Sequence, residues 1–311
     1  MLLEFKKSFR DVDNVLYDWM DSSSSDYCVW RGLTCDNVTF NVIALDLKGN
    51  RLSGQIADEI GDCSSLKSLI LKNNQLIGPI SSTLSQIPNL KILDLAQNKL
   101  IGEIPRLIYW NEVLQYLDLS YNLLTGEIPF NIGFLQVATL SLQGNQLSGK
   151  IPSVIGLMQA LAVLELNENL LCGHIPPELG KLTDLFDLHV ANNNLEGPIP
   201  DNLSSCTNLN SLNVEGNKLN GSIPYAFERL ESMTYLDISN NRITGSIPSS
   251  LGDLEHLLKL NLRKNRLSGY IPAEFGHLRS VMEINISNNG LSGLTPQELG
   301  QLQNWSPCKF L

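Results

Sequence analysis

Cysteine is scarce in this sequence, six residues in 311, and histidine scarcer still, with four. Six cysteines over that length exclude a small scaffold built on disulfides. His174, His189, His256 and His277 lack a second ligand at metal-binding spacing, so neither a metal nor any other cofactor is expected. Long apolar runs are missing too: none reaches the roughly 18 residues of a membrane-spanning helix. Met1-Leu-Leu-Glu4 begins without the basic start and apolar stretch of a secretion signal. Basic residues are the minority, 22 against 32 acidic, and the net charge of −10 weighs against nucleic acid or anionic membrane as partner. A Gly-rich phosphate loop, H-R-D, D-F-G and G-x-S-x-G are all absent, and no Ser/His/Asp set is expected to meet. Phosphoryl transfer and nucleophilic hydrolysis therefore have no carrier, and the chain is not expected to be an enzyme.

What fills the sequence instead is a repeat. Leu90-Lys-Ile-Leu93-Asp-Leu95-Ala-Gln-Asn98-Lys-Leu100-Ile-Gly102-Glu-Ile104-Pro105 is one copy of L-x-x-L-x-L-x-x-N-x-L-x-G-x-I-P. The asparagines recur at 50, 74, 98, 122, 145, 169, 193, 217, 241, 265 and 289, a period of 24 with one step of 23. This is the leucine-rich-repeat signature in its plant extracellular form. Period-two alternation around Leu93 and Leu95 predicts a short strand. One copy cannot bury its apolar side alone, whereas stacked copies share a continuous core. The expected fold is thus an α/β-type repeat: a curved solenoid with parallel strands on its concave face and a helical N-terminal cap. The asparagine amides should form a ladder that satisfies backbone groups of adjacent turns. Glycine follows each asparagine by four residues, which predicts a backbone angle or a close approach that a Cβ would forbid. Proline stands at the seventh position except at Ala57 and Ser81, and favours an extended outer segment.

The expected domains are a cap over 1–40, eleven repeats of 23 or 24 residues over 41–303, and an irregular tail over 304–311. In the cap, Leu2, Phe5, Phe9, Val12, Leu16 and Trp19 fall at helical spacing and predict one apolar helix face covering the first repeat. Cys63 and Cys206 occupy equivalent positions six repeats apart, too far for a disulfide, and read as apolar fillers. Cys172 and Cys308 read as unpaired, Cys308 alternatively as half of a lost cap pair. Thr295 breaks the last repeat, and the tail suggests an altered C-terminus.

Strand positions facing outward decide what a solenoid binds. Four residues before each asparagine lie Asp46, Ile70, Asp94, Asp118, Ser141, Glu165, His189, Asn213, Asp237, Asn261 and Asn285. The acidic first half, with Tyr116, Tyr121, Glu168, Phe186, Asp187 and Glu215 nearby, suits a basic peptide. The ligand-binding candidates are Asp94, Tyr116, Asp118, Tyr121, Glu165, Phe186 and His189. Toward the end the sign changes, with Arg242, Lys259, Arg263, Lys264 and Arg266. Sequons occur at Asn37, Asn202, Asn220, Asn285 and Asn304; Asn37 and Asn202 are the expected glycosylation sites.

Cys28-Val-Trp30-Arg-Gly32-Leu-Thr-Cys35 resembles the N-terminal cap of plant leucine-rich-repeat receptors, which implies a disulfide between Cys28 and Cys35. The segments Leu2–Trp19, Ile87–Asn98, Arg106–Tyr116 and Gly133–Asn145 together closely resemble the ectodomain of the ERECTA receptor kinases. The resemblance implies a plasma-membrane receptor that binds small secreted cysteine-rich peptides of the epidermal patterning factor type. It further implies co-receptor kinases or receptor-like proteins as partners, and an extracellular location. The family's array is longer; here whole repeats are missing near Asp46-Leu-Lys48, and neither membrane span nor kinase is present. Two alternatives stand beside this expectation. One is a soluble inhibitor resembling polygalacturonase-inhibiting proteins, the other a non-functional truncated gene copy.

Overall fold

The computed structural model describes residues 2–20 and 26–302. It divides into two compact units, Met1–Ser148 and Gly149–Leu311. In both, every repeat makes the same circuit: a strand of three residues (five in the first repeat), a turn at the asparagine, a short second strand or bridge, and a five-residue 3-10 turn.

In the first unit the strands Val42–Asp46, Ser68–Ile70, Ile92–Asp94, Tyr116–Asp118 and Thr139–Ser141 pair in parallel, each with the next. In the second, Val163–Glu165, Asp187–His189, Ser211–Asn213, Tyr235–Asp237, Lys259–Asn261 and Glu283–Asn285 do the same. The leucines drive this stacking. In the Asn98 repeat Leu90, Leu93, Leu95 and Leu100 are all buried. Each contributes about 2 kcal/mol that an isolated repeat could not collect. The 23-residue step is absorbed between the 3-10 turn and the strand. Buried Leu135 and Val137 stand two positions apart there, where buried Leu182 and Leu185 of a 24-residue repeat stand three apart. The strands stay in register across it, with Thr139 opposite Tyr116.

The asparagine ladder forms as expected. Asn98 Nδ2 donates to the carbonyls of Leu71, Leu95 and Ala96, and its Oδ1 accepts from Leu76 N at 3.0 Å. Asn193, Asn217 and Asn241 repeat the pattern in the second unit. The glycines at the fourth position all take positive φ, from 75° at Gly149 to 105° at Gly54, the left-handed region that a Cβ disfavours. Prolines at the seventh position are extended and lead into the 3-10 turns, as Pro105 does at φ −57° and ψ 126°.

Two features were not foreseen. A second parallel ladder follows the asparagines: Ser53–Gly54, Gln75–Pro79, Lys99–Gly102 and Leu123–Leu124 pair in sequence. Two shorter ladders of three strands each do so in the second unit. The residue before every repeat asparagine also has positive φ, including Asn73, Gln97, Tyr121, Glu168 and Lys264.

The cap corrects the helix expected over residues 2–19. The helix stops at Leu2–Lys7, and Phe9–Arg10 becomes a strand antiparallel to Ser53–Gly54. Gly54 permits this, because a Cβ there would collide with the carbonyl of Ser8. The Asp11 carboxylate then accepts from Val15 N and Leu16 N, which holds a turn where a helix would have continued. Phe5, Phe9, Leu16 and Trp19 are buried, while Val12 points to solvent. Trp19 stacks on Trp30 at 5.6 Å. Cys28 and Cys35 form a disulfide. The strand Leu33–Cys35 pairs antiparallel with Val42–Asp46 and so covers the edge of the first repeat. Cys63 and Cys206 are buried and Cys172 is exposed, and these three are not joined in disulfides with one another. The tail over 304–311, with Asn304 and Cys308, lies outside the described residues.

Candidate functional site

Strand alternation turns the side chains four before each asparagine away from the leucine core. Their local chemistry is the same in repeat after repeat. Asp94 Oδ1 accepts from Ala96 N at 3.2 Å, Asp118 Oδ1 from Ser120 N at 3.0 Å, and Asp237 Oδ1 from Ser239 N at 3.0 Å. Asn213, Asn261 and Asn285 make the same bond to Glu215, Arg263 and Ser287. The column therefore has a structural task, holding the chain as it leaves the strand. Asparagine performs that task as well as aspartate, so the negative charge at Asp94 and Asp118 is surplus to it.

This placement corrects the expectation that the acidic column is openly exposed. Asp94 and Asp118 are only 8% and 5% exposed. Folding back onto a backbone N–H two residues on keeps the short side chains low between their neighbours. Burial pushes the Asp94 carboxyl above its ordinary value, opposed by the bond from Ala96, and Asp118 pushes it further. Asp118 Oδ2 accepts from the Tyr116 hydroxyl at 3.2 Å and lies 3.8 Å from Lys72 Nζ. Tyr121, 44% exposed, stands beyond them at φ 52°, with its ring against Gly144. The first unit thus brings Asp94, Tyr116, Asp118 and Tyr121 onto two adjacent repeats.

The second unit carries Glu165, Phe186 and His189. Phe186 is 46% exposed just before the strand Asp187–His189. Burial raises the Asp187 carboxyl, His189 opposes that, and Glu165 adds to it. His189 Nε2 is 2.8 Å from Ser211 Oγ on the next strand. A Ser/His/Asp set therefore does assemble where none was foreseen, because equal register places Ser211 opposite Asp187 and Asn213 opposite His189. It lacks the Asp–His hydrogen bond that orients a catalytic imidazole. Its components lie on a half-exposed strand face with nothing to desolvate them.

Sequence reasoning missed the Asp237 network. Asp237 accepts from the Ser239 hydroxyl at 2.6 Å, Asn261 Nδ2 at 2.8 Å and the Tyr235 hydroxyl at 3.3 Å. Lys259 Nζ sits 5.1 Å from the centre of the Tyr235 ring. The repeated triplets Tyr116-Leu-Asp118 and Tyr235-Leu-Asp237 were its visible signal. Among the described residues no cluster of potential metal ligands occurs, and no helix is long and apolar enough to cross a membrane. Asn37 and Asn202 are both exposed, Asn37 in a turn and Asn202 on the 3-10 turn Asp201–Ser205.

Comparison with known proteins agrees with this construction. Residues 1–36 match the leucine rich repeat N-terminal domain. Leucine rich repeat matches cover 41–63, 89–110, 113–135 and 136–158, then 185–243, 207–267 and 235–291. The chain is a leucine-rich-repeat protein. Its resemblance is to ERECTA in particular. It is 65% identical over 68 residues to the receptor-like serine/threonine-protein kinase ERECTA of Arabidopsis thaliana, covering 22% of this chain and 7% of that one. It is 58% identical over 69 residues to ER2 of Oryza sativa subsp. japonica, again 22% and 7%. Among solved structures, the Arabidopsis receptor kinase HAESA in complex with the peptide hormone IDA and the co-receptor SERK1 superposes with a TM-score of 0.92. The two are 34% identical over 99% of this chain and 52% of that one. A plant ice-binding protein matches at a TM-score of 0.79 and 28% identity, covering 99% of this chain and 96% of that one. The aligned residues thus span 7% of the ERECTA sequence, and the chain about half of the HAESA chain.

Proposed function

We propose that this chain is the extracellular ligand-recognition part of an ERECTA-type receptor kinase. It binds small secreted cysteine-rich signalling peptides on its strand faces, and pairs with co-receptor kinases or receptor-like proteins at the outer side of the plasma membrane. Recognition, without catalysis, is its task. The observation that carries this reading is a pair of strand-borne carboxylates at positions where asparagine makes the same backbone bond in other repeats, beside an exposed tyrosine on the same two repeats. Charge held at a cost on a rigid surface, next to an aromatic anchor, is what a binding surface for a basic peptide requires. Likeness to a receptor ectodomain solved with a peptide hormone and a co-receptor supports it. The test is surface plasmon resonance of the secreted chain against a patterning-factor-type peptide and a soluble co-receptor ectodomain. Saturable peptide binding, strengthened by the co-receptor, is expected. A folded chain that binds neither would overturn the reading in favour of an inhibitor or a silent gene copy.

A further inference from the structure

A sequon needs Ser or Thr two residues after its asparagine. At that place each of the eleven ladder asparagines has Leu or Ile, because the repeat returns to its core there. The fold depends on this exclusion. Asn98 Nδ2 makes three donations to carbonyls, and a sugar on that nitrogen would break them. The outward column has no such protection, and its asparagines differ in which amide atom the fold uses. Asn261 Nδ2 donates to Asp237 Oδ2 at 2.8 Å and Ser239 Oγ at 3.2 Å, while its Oδ1 accepts from Arg263 N. Both ends of that amide are engaged, and Arg263 stands where a sequon would need its hydroxyl.

Asn285 differs on both counts. Its sequon is Asn285-Ile-Ser287, and the same residues form its hydrogen bonds. Oδ1 accepts from Ser287 N at 3.2 Å and from the Ser287 hydroxyl at 2.8 Å, whereas Nδ2 makes no hydrogen bond among the described residues. The nitrogen that would carry a sugar is therefore the amide atom that the fold leaves unused. Ile284 and Ile286 on either side are buried, so alternation turns Asn285 out of the strand face. Among the described residues, the strand Glu283–Asn285 pairs only with Lys259–Asn261, which leaves one flank of Asn285 clear of a further strand. The Cys28–Cys35 disulfide belongs to an oxidising compartment, which the secretory route supplies.

We propose that Asn285 carries an N-linked oligosaccharide, which closes this end of the strand face to macromolecular ligands. The proposal rests on the extracellular reading but not on any particular peptide. The donor is a polyprenyl-diphosphate oligosaccharide, and the cell's transferase acts on the chain before this repeat folds. Asn285 Nδ2 bonds to the anomeric carbon and gives up one proton, and the polyprenyl diphosphate leaves. The repeat then folds around the product, because Oδ1 keeps both of its bonds to Ser287. In register, Asn261 lies opposite Asn285 and Lys259 opposite Glu283. Lys259 is thus about 8 Å from Asn285 along the same face, beneath the sugar. A bulky glycan here keeps a peptide or partner off the last two strands of the second unit.

The test is peptide mapping by mass spectrometry of the full chain secreted from plant cells behind a signal peptide. Release by peptide N-glycosidase in heavy-oxygen water should convert Asn285 to labelled aspartate. Ser287→Thr, which keeps the sequon, should retain the label, and Ser287→Ala should lose it. Circular dichroism establishes that each variant is folded. An amine-reactive polyethylene glycol then reads the shielding. It should modify Lys259 in folded Ser287→Ala and spare it in the wild type, while Lys150, exposed on the second ladder, reacts equally in both. An unmodified Asn285 in the secreted wild type, or a modification that survives Ser287→Ala, would overturn the glycan. Lys259 equally modified, or equally untouched, in the two chains would overturn the shielding. If Asn285 is unmodified while the chain binds a patterning-factor-type peptide, the glycan fails and the receptor reading stands. If Asn285 is occupied in a folded chain that binds no such peptide, the glycan stands and the receptor reading fails.

Discussion

Asp94 is retained against the interest of stability. Its carboxyl is raised in the folded chain by burial and by Asp118, so the folded state holds that proton more tightly than the unfolded one. Its contribution is fully present at low pH, and is lost as pH rises through the ordinary carboxylate range to the raised folded value. Asp94→Asn keeps the bond from Ala96 N and removes the buried charge. It should raise the melting temperature at pH 7, with the gain vanishing near pH 3, as followed by scanning calorimetry. An unchanged melting temperature at both pH values would show that the charge costs nothing. Gln97 makes a complementary case. Its φ of 56° belongs to the turn, not to the side chain. Gln97→Asn should add about 0.5 kcal/mol in urea unfolding, since asparagine tolerates the left-handed region better. The same φ at Tyr121 carries a large exposed ring, which the turn does not require. This column was partly legible: Gly49, Asn73, Gly144, Asn192, Gly216, Asn240 and Asn288 are the residues that tolerate it. The variety among the others hid it. The low exposure of Asp94 was not legible, because alternation gives a side chain's direction and not its depth.

At the scale of the element, the asparagine ladder and the cap carry different kinds of stability. Asn98→Ala removes three donations to carbonyls and exposes Leu76 N without a partner. A loss of about 3 kcal/mol is expected from groups left unpaired in the interior. Asn50, whose amide reaches only Leu47 and Lys48 of its own turn, should cost clearly less on the same change. Equal losses in equilibrium unfolding would contradict the ladder as an inter-repeat device. The Cys28–Cys35 bridge closes a separation of seven residues. Reducing it should lower stability by about 2 kcal/mol through the freed unfolded chain. The strands and their register could be read from leucine spacing alone, because one pattern recurs in every copy. The cap could not. Its apolar residues fit a helix in spacing, but Gly54, distant in sequence, offers Phe9–Arg10 a partner strand. The second ladder was hidden for a similar reason: a residue pattern built around glycine and proline gives no alternation to read.

For the molecule as a whole, each unit is a run of turns that touch their neighbours, and the same polar bond is remade at each strand end. Repetition makes the fold legible and the binding surface obscure. Residues needed in every turn announce themselves by recurring, whereas a ligand contact occurs once. Asp46, Asp94, Asp118, Glu165 and Asp237 stand out only when the column is compared with itself, as positions where the outward residue carries a charge that asparagine elsewhere does without. The measurement that bears most directly on peptide recognition is a calorimetric titration of the folded chain with a patterning-factor-type peptide. An Asp94→Asn, Asp118→Asn, Glu165→Gln variant is titrated beside it. Saturable binding by the wild-type chain is expected, with affinity at least about tenfold lower in the equally folded variant. Equal affinity in the two would contradict recognition through these strand faces.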